Sequence, residues 1–208
     1  MDLSSPISSV IPGGRGLVLA VLARTTEPLS GRRIAELAGD RVAKTRVNAL
    51  LNELVASGLV LADEKPPAVL YRLNRGHLAA AAVEALATVR ERLITGLREA
   101  IGGWDPAVAT AWLFGSVARG GGGVESDVDI AVVRPDAVDP DDARWRDQLV
   151  SLGDLILRQT GNDASVIEYS EAEVAGLVAT DQRIVGSIRA EGIHLAGRRL
   201  LVADQVRT

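Results

Sequence analysis

The chain has 208 residues, 47% hydrophobic and 24% charged, with a formal charge of −4; this is a globular composition, long enough for one large domain or two small ones. With no cysteine, two histidines and 3% aromatic residues, it has no means to build disulfides, thiolate or histidine-rich metal sites, cysteine nucleophiles, or stacking platforms for single-stranded nucleic acid. No apolar run nears the roughly 18 residues of a membrane span, and MDLSSPISSV lacks the basic start and apolar stretch of a signal peptide, so a cytoplasmic protein without membrane association is expected.

Charge is unevenly distributed. Residues 1–76 carry ten Lys plus Arg against seven Asp plus Glu, a net of +3, which leaves −7 for residues 77–208. A mildly basic front suits phosphate backbones and an acidic back suits cations.

In chain order, GLVLAVLART (16–25) has the apolar density of a buried first helix, stopped at Glu27-Pro28. Ser30 is a candidate N-cap for GRRIAELAG, and Gly39 stands where a helix end favours glycine. The segment VAKTRVNALLNELVASG repeats apolar positions at Val47, Leu50, Leu51, Leu54 and Val55, one helical stripe closing at Gly58. LVLADEKPPAVLYRLN then reads as a β-hairpin around Pro66-Pro67.

This order, helix, two helices at a tight turn, then hairpin with a preceding SGLV, resembles the winged helix-turn-helix domains of bacterial transcription regulators over residues 15–75. The resemblance implies a second helix lying in the major groove of double-stranded DNA, with Arg41, Lys44, Thr45, Arg46 and Asn48 at or near the bases. Arg32, Arg33, Lys65 and Arg72 are then available for phosphates. The competing reading makes these residues solvated faces of a small domain used for dimerisation or packing. Because winged-helix domains commonly act as symmetric pairs, a homodimer is expected.

From His77 to Ile101, HLAAAAVEALATVRERLITGLREAI is rich in Ala and Leu without proline, which predicts one long linking helix that connects and braces two domains. Gly102-Gly103 ends it.

ATAWLFGS predicts a buried strand over Ala109–Phe114 that ends in Gly115-Ser116 and a short helix, a turn whose amides and hydroxyl suit phosphate oxygens. ARGGGG gives a loop, and VESDVDIAVV resumes a strand. Side chains alternate along a strand, so Asp127 and Asp129 share a face, about 7 Å apart, while Val128 and Ile130 face away. Two carboxylates beside a phosphate-binding turn suit a cation.

Taken together, GSVARG and SDVDI resemble the signature of the DNA polymerase β-like nucleotidyltransferase superfamily, particularly its minimal bacterial members, with a looser likeness over residues 104–170. The resemblance implies that Gly115 and Ser116 hold the β- and γ-phosphates of a nucleoside triphosphate, that Arg119 helps neutralise them, and that Asp127 and Asp129 ligate Mg²⁺ or Mn²⁺. The implied activity is transfer of a nucleotidyl group, AMP from ATP, to an acceptor hydroxyl.

Such sites take a third carboxylate from a later strand, here DASVIEYS after the helix WRDQLVSLGDLILRQTG. Aligned by apolar alternation, that position is Ser165, which is no carboxylate. Asp163, two residues earlier on the same face, completes the site if the register shifts, while Glu168 has the opposite parity. Either Asp163 is the third catalytic carboxylate or catalysis is impaired. In the second case the protein is a DNA-binding regulator, or an antitoxin-like protein paired with a helical toxin, whose degenerate domain binds nucleotide or a partner.

Other features read as structural. His77 and His194 are expected in surface or packing roles, and Trp104, Trp112 and Trp145 in core or interface. PDAVDPDDAR (135–144) has no calcium-loop spacing and is expected as a solvated loop leading into a helix; two amphipathic helices follow from SEAEV onward. The expected fold is α+β: a winged helix-turn-helix domain at 1–76, a linking helix at 77–102, and a small mixed-sheet nucleotidyltransferase domain with C-terminal helices at 103–208.

Overall fold

The computed structural model of the protein describes residues 1–39, 42–180 and 182–200. The chain divides into two compact units, one of Asp2 and Ser4–Arg90, the other of Met1, Leu3 and the chain from Glu91 onward.

In the first unit a 3-10 turn at Pro6–Ser9 precedes helix α1 (Gly14–Ala23), the two-residue strand β1 (Leu29–Ser30), and helices α2 (Gly31–Ala38) and α3 (Lys44–Ala56). The antiparallel hairpin β2 (Val60–Lys65) and β3 (Ala68–Leu73) follows, turning at Pro66-Pro67, and α4 (Ala80–Ala87) closes the unit. The order foreseen from apolar spacing, helix, two helices and hairpin, is the order observed. The Ser30 side chain accepts the Arg33 amide, so α2 starts at the foreseen cap, and Gly39 ends it with φ +72°. Val18, Leu22, Ile34, Val47, Leu51, Leu54 and Leu73 are buried together. Removing any one side chain to alanine would cost about 2–5 kcal/mol. The strand β1 pairs with β3 through Leu29 and Tyr71. Two residues are too short to show the alternation by which a strand is read.

The alanine-rich stretch is two helices, α4 and α5 (Val89–Gly102), rather than one. At the break the Thr88 hydroxyl donates to the carbonyls of Glu84 and Ala85, a local bond that competes with the helical ladder.

The second unit is a four-stranded mixed sheet in the order β6-β5-β4-β7. It comprises β4 (Thr110–Phe114), the short helix α6 (Gly115–Ala118), β5 (Val128–Arg134), α7 (Ala143–Thr160), β6 (Ala164–Ser170), α8 (Glu171–Ala179), α9 (Arg183–Glu191) and β7 (Ile193–Gly197). Strand β5 is antiparallel to β4 and parallel to β6, and β7 runs antiparallel to β4.

Strand alternation divides the core. Leu113, Ile130 and Val132 are buried with Leu97 of α5 and Trp145 and Ile156 of α7. Trp112, Ala131 and Val133 are buried with Val174 of α8 and Val185 and Ile188 of α9. The acidic loop does lead into a helix: the Asp142 carboxylate accepts the Arg144 and Trp145 amides and caps α7. Glu168 pairs with Arg134 and accepts from Trp145 Nε1, so it points away from the Asp129 face as its parity requires. Among the described residues, no helix is long and apolar enough to cross a membrane.

Candidate nucleotide site

The edge of the sheet where β4 ends and β5 begins gathers the residues singled out above. Phe114, the last residue of β4, is in register with Asp129, and Asp129 is in register with Ser165 on β6. Gly115 follows Phe114 with φ +70°, and a Cβ placed on it would lie 2.1 Å from Asp129 Oδ2. Glycine is required twice over at this turn, by the left-handed backbone and by the carboxylate seated on its Cα.

Ser116 stands in the first turn of α6, and its carbonyl accepts the Gly121 amide at 2.9 Å, folding the glycine loop back over the helix. Asp127 is exposed just before β5; Asp129 is half-buried. Burial, then the charge of Asp127, raise the Asp129 carboxyl above its usual range, against the opposing influence of Arg119 and a hydrogen bond from Ser165.

Two residues that sequence spacing did not reveal complete the frame. Glu191, at the end of α9, pairs with Arg119 and accepts from Ser187 Oγ at 3.0 Å. This ties the arginine expected to neutralise phosphates to a helix 72 positions further along the chain. Asn162, 2% exposed, donates through Nδ2 to the carbonyls of Gly123, Val124 and Ser126 at 3.2, 3.2 and 2.9 Å, which clamps the loop that leads into Asp127. An asparagine directly after a helix-ending glycine and before a strand is the one sequence signal of such a clamp; the Arg119–Glu191 pair has none.

The expected third carboxylate is not gathered in. Asp163 is exposed, its carbonyl accepts the Val128 amide, and among the described residues no three His, Cys, Asp or Glu side chains form a group able to hold a metal ion. The register places Ser165, as sequence alignment had it, beside Asp129. Two carboxylates still fit Mg²⁺, which binds through one or two carboxylates together with substrate phosphates and water.

In the first unit, Lys44, Thr45, Arg46 and Asn48 are exposed on the first two turns of α3, and Arg41 lies outside the described residues. Arg46 is 3.8 Å from Glu53, and the Asn48 side chain lies against Gly31 at the start of α2. Arg32 and Arg33 pair with Glu36, and Lys65 with Asp63. His77 accepts the Ala79 amide at a helix start, and His194 packs edge-on against Trp112, the structural roles expected of both.

Residues 102–185 match the family model described as Polymerase beta, Nucleotidyltransferase. This segment, with the strand-turn-helix and the aspartate pair on its sheet edge, is a polymerase β-type nucleotidyltransferase domain. Two mutant crystal structures of the toxin–antitoxin MntA-HpeT are similar to the chain. One is 20% identical over 53% of this chain and 74% of that chain, with a TM-score of 0.34. The other is 26% identical over 52% and 72%, with a TM-score of 0.31. None of the curated proteins matches the chain.

Proposed function

We propose that the second unit is a nucleotidyltransferase that transfers a nucleotidyl group, AMP from ATP, to an acceptor hydroxyl, and that the first unit is a winged helix-turn-helix that binds double-stranded DNA. The observation that carries the enzymatic reading is the Asp129 carboxylate seated on the left-handed Gly115 turn, with Asp127 on the same edge. It joins a phosphate cradle at the end of β4 to a cation site at the start of β5.

In this reading Gly115 leaves the turn bare so that a triphosphate approaches its backbone, and the Ser116 hydroxyl donates to a phosphate oxygen. Arg119, held by Glu191, sets a positive charge beside the phosphates. Asp127 and Asp129 would hold Mg²⁺ or Mn²⁺, which when bound neutralises phosphate charge and lowers the pKa of the attacking hydroxyl. The acceptor oxygen forms a bond to the α-phosphorus, the bond to the bridging oxygen breaks, and pyrophosphate leaves with that electron pair. The hydroxyl proton passes to water, or to Asp163 where that carboxylate completes the site. Asp163, the third member of the expected set, either completes the site or leaves catalysis impaired.

The DNA reading is supported by the helix, helix-turn-helix and hairpin order and by the exposed face of α3. A homodimer, which pairs two such helices across successive major grooves, goes with it. Ser165 opposite Asp129 favours a second reading of the other unit, in which nucleotide is bound without turnover and the protein acts as a regulator or as an antitoxin-like partner of a helical toxin. The readings separate in one assay: pyrophosphate release from ATP with Mg²⁺ or Mn²⁺ over a panel of protein, small-molecule and RNA acceptors. Release lost in Asp127→Asn supports the enzyme; nucleotide binding without release supports the second reading.

A further inference from the structure

A cavity of about 370 Å³ opens in the first unit among the 3-10 turn, α1, α2 and α4. Its volume lies within the range of small-molecule sites, about 300–1,000 Å³. Its wall is made largely by Leu17, Val21, Leu29 and Leu37, and two arginines, Arg24 and Arg33, stand in its lining. Among the described residues, no acidic side chain lines it and none pairs with Arg24, which is exposed at the end of α1. Leu37, one helical turn beyond Arg33 on α2, is 49% exposed, an apolar side chain left uncovered in an apolar cleft.

This is a lopsided environment: an apolar wall that favours a hydrocarbon body, and two guanidinium groups, of which Arg33 is shared with Glu36 outside the lining while Arg24 has no acidic partner among the described residues. Neutral apolar ligands would bury only the wall, and strongly hydrated polyanions such as nucleotides would lose water against leucine. An anion with one charged end and one apolar body satisfies both halves, because carboxylates pair with arginine in short, charge-assisted hydrogen bonds. We propose that this cavity is a binding site for a small amphipathic carboxylate, an alkyl or aryl acid, whose carboxylate meets Arg24 and Arg33 and whose body covers Leu37. The site is separate from the nucleotide site and does not rest on that reading. It adjoins α2, whose Ile34 and Ala38 share a core with Val47 and Leu51 of α3, so an occupant that shifts α2 acts on the helix carrying Lys44, Thr45 and Asn48.

The test uses the full chain with octanoate and benzoate as probes and their neutral amides as controls, read by calorimetric titration. The acids are expected to bind, the amides about tenfold more weakly, and Arg24→Gln/Arg33→Gln to weaken the acids by about tenfold while leaving the amides unchanged. Ala20→Phe, which fills the cavity, is expected to abolish binding of both; the exposed arginine variants keep the test sound should that variant not fold. Asp127→Asn is expected to leave all of this unchanged. Failure of both acids to bind up to about 10 mM, or acids and amides binding alike with no effect of the arginine changes, would overturn the proposal.

Discussion

Gly115 and Asp129 are pressed together so closely that even a methyl group on the glycine would lie 2.1 Å from the aspartate Oδ2, at a backbone φ of +70°. The end of β4 and the start of β5 are thus locked at a single side chain, and that side chain is the central carboxylate of the candidate site. Gly115→Ala is expected to destabilise the unit by about 1–3 kcal/mol and to displace Asp129, with loss of metal-dependent nucleotide binding. Urea unfolding and nucleotide titration on the same variant check both halves; unchanged binding would mean that the contact does not shape the site.

Ser165 faces Asp129 across parallel strands, where a third carboxylate would stand. Ser165→Asp is expected to tighten Mg²⁺ binding and to raise the rate of pyrophosphate release by at least about tenfold if catalysis is limited by that vacancy. A rate equal to that of the unmodified protein would show that the serine is no handicap.

Asn162 spends its buried amide on three loop carbonyls. Asn162→Ala removes the shared donor of those carbonyls, of which Gly123 still accepts the Ser126 amide, and is expected to cost about 2–4 kcal/mol. Faster hydrogen exchange across residues 120–127 than across α7 would locate the effect in the loop; uniform exchange would contradict the clamp.

His194 packs on Trp112, its Nε2 is buried without a partner, and burial, then the charge of Arg199, lower its pKa below 6.5. An imidazole depressed in the folded state binds its proton more readily when unfolded. Its contribution to stability is therefore full above pH 6.5 and is lost as pH falls from there toward the folded value. The unfolding midpoint is expected to drop over that interval, and His194→Gln to flatten the drop; the same slope in both proteins would acquit the histidine.

How far the sequence spoke depends on the range of the interaction that decides each feature. The apolar runs of TAWLF and VDIAVV are local, and with the two-residue period of a strand they led to the strands and to Ser165 opposite Asp129. The Ser30 cap and the Pro66-Pro67 turn are equally local. The break at Thr88, where the hydroxyl shares the Glu84 carbonyl with the backbone amide, is not written in helix propensity. Strand β7 was read only as a terminal segment, because IHLAG is short and its partner lies on β4, more than eighty residues earlier. Glu191 was missed for the same reason: a surface glutamate on an amphipathic helix becomes the anchor of Arg119 only once α9 is folded against α6.

The central claim is that the Gly115, Asp127 and Asp129 edge holds a nucleoside triphosphate with its metal. Isothermal titration of ATP, CTP, GTP and UTP with Mg²⁺ into the protein and into Asp127→Asn/Asp129→Asn tests it most directly. Binding that needs Mg²⁺ and is lost in the double variant is predicted. No binding of any of the four nucleotides, or binding indifferent to the metal and to both aspartates, would contradict it.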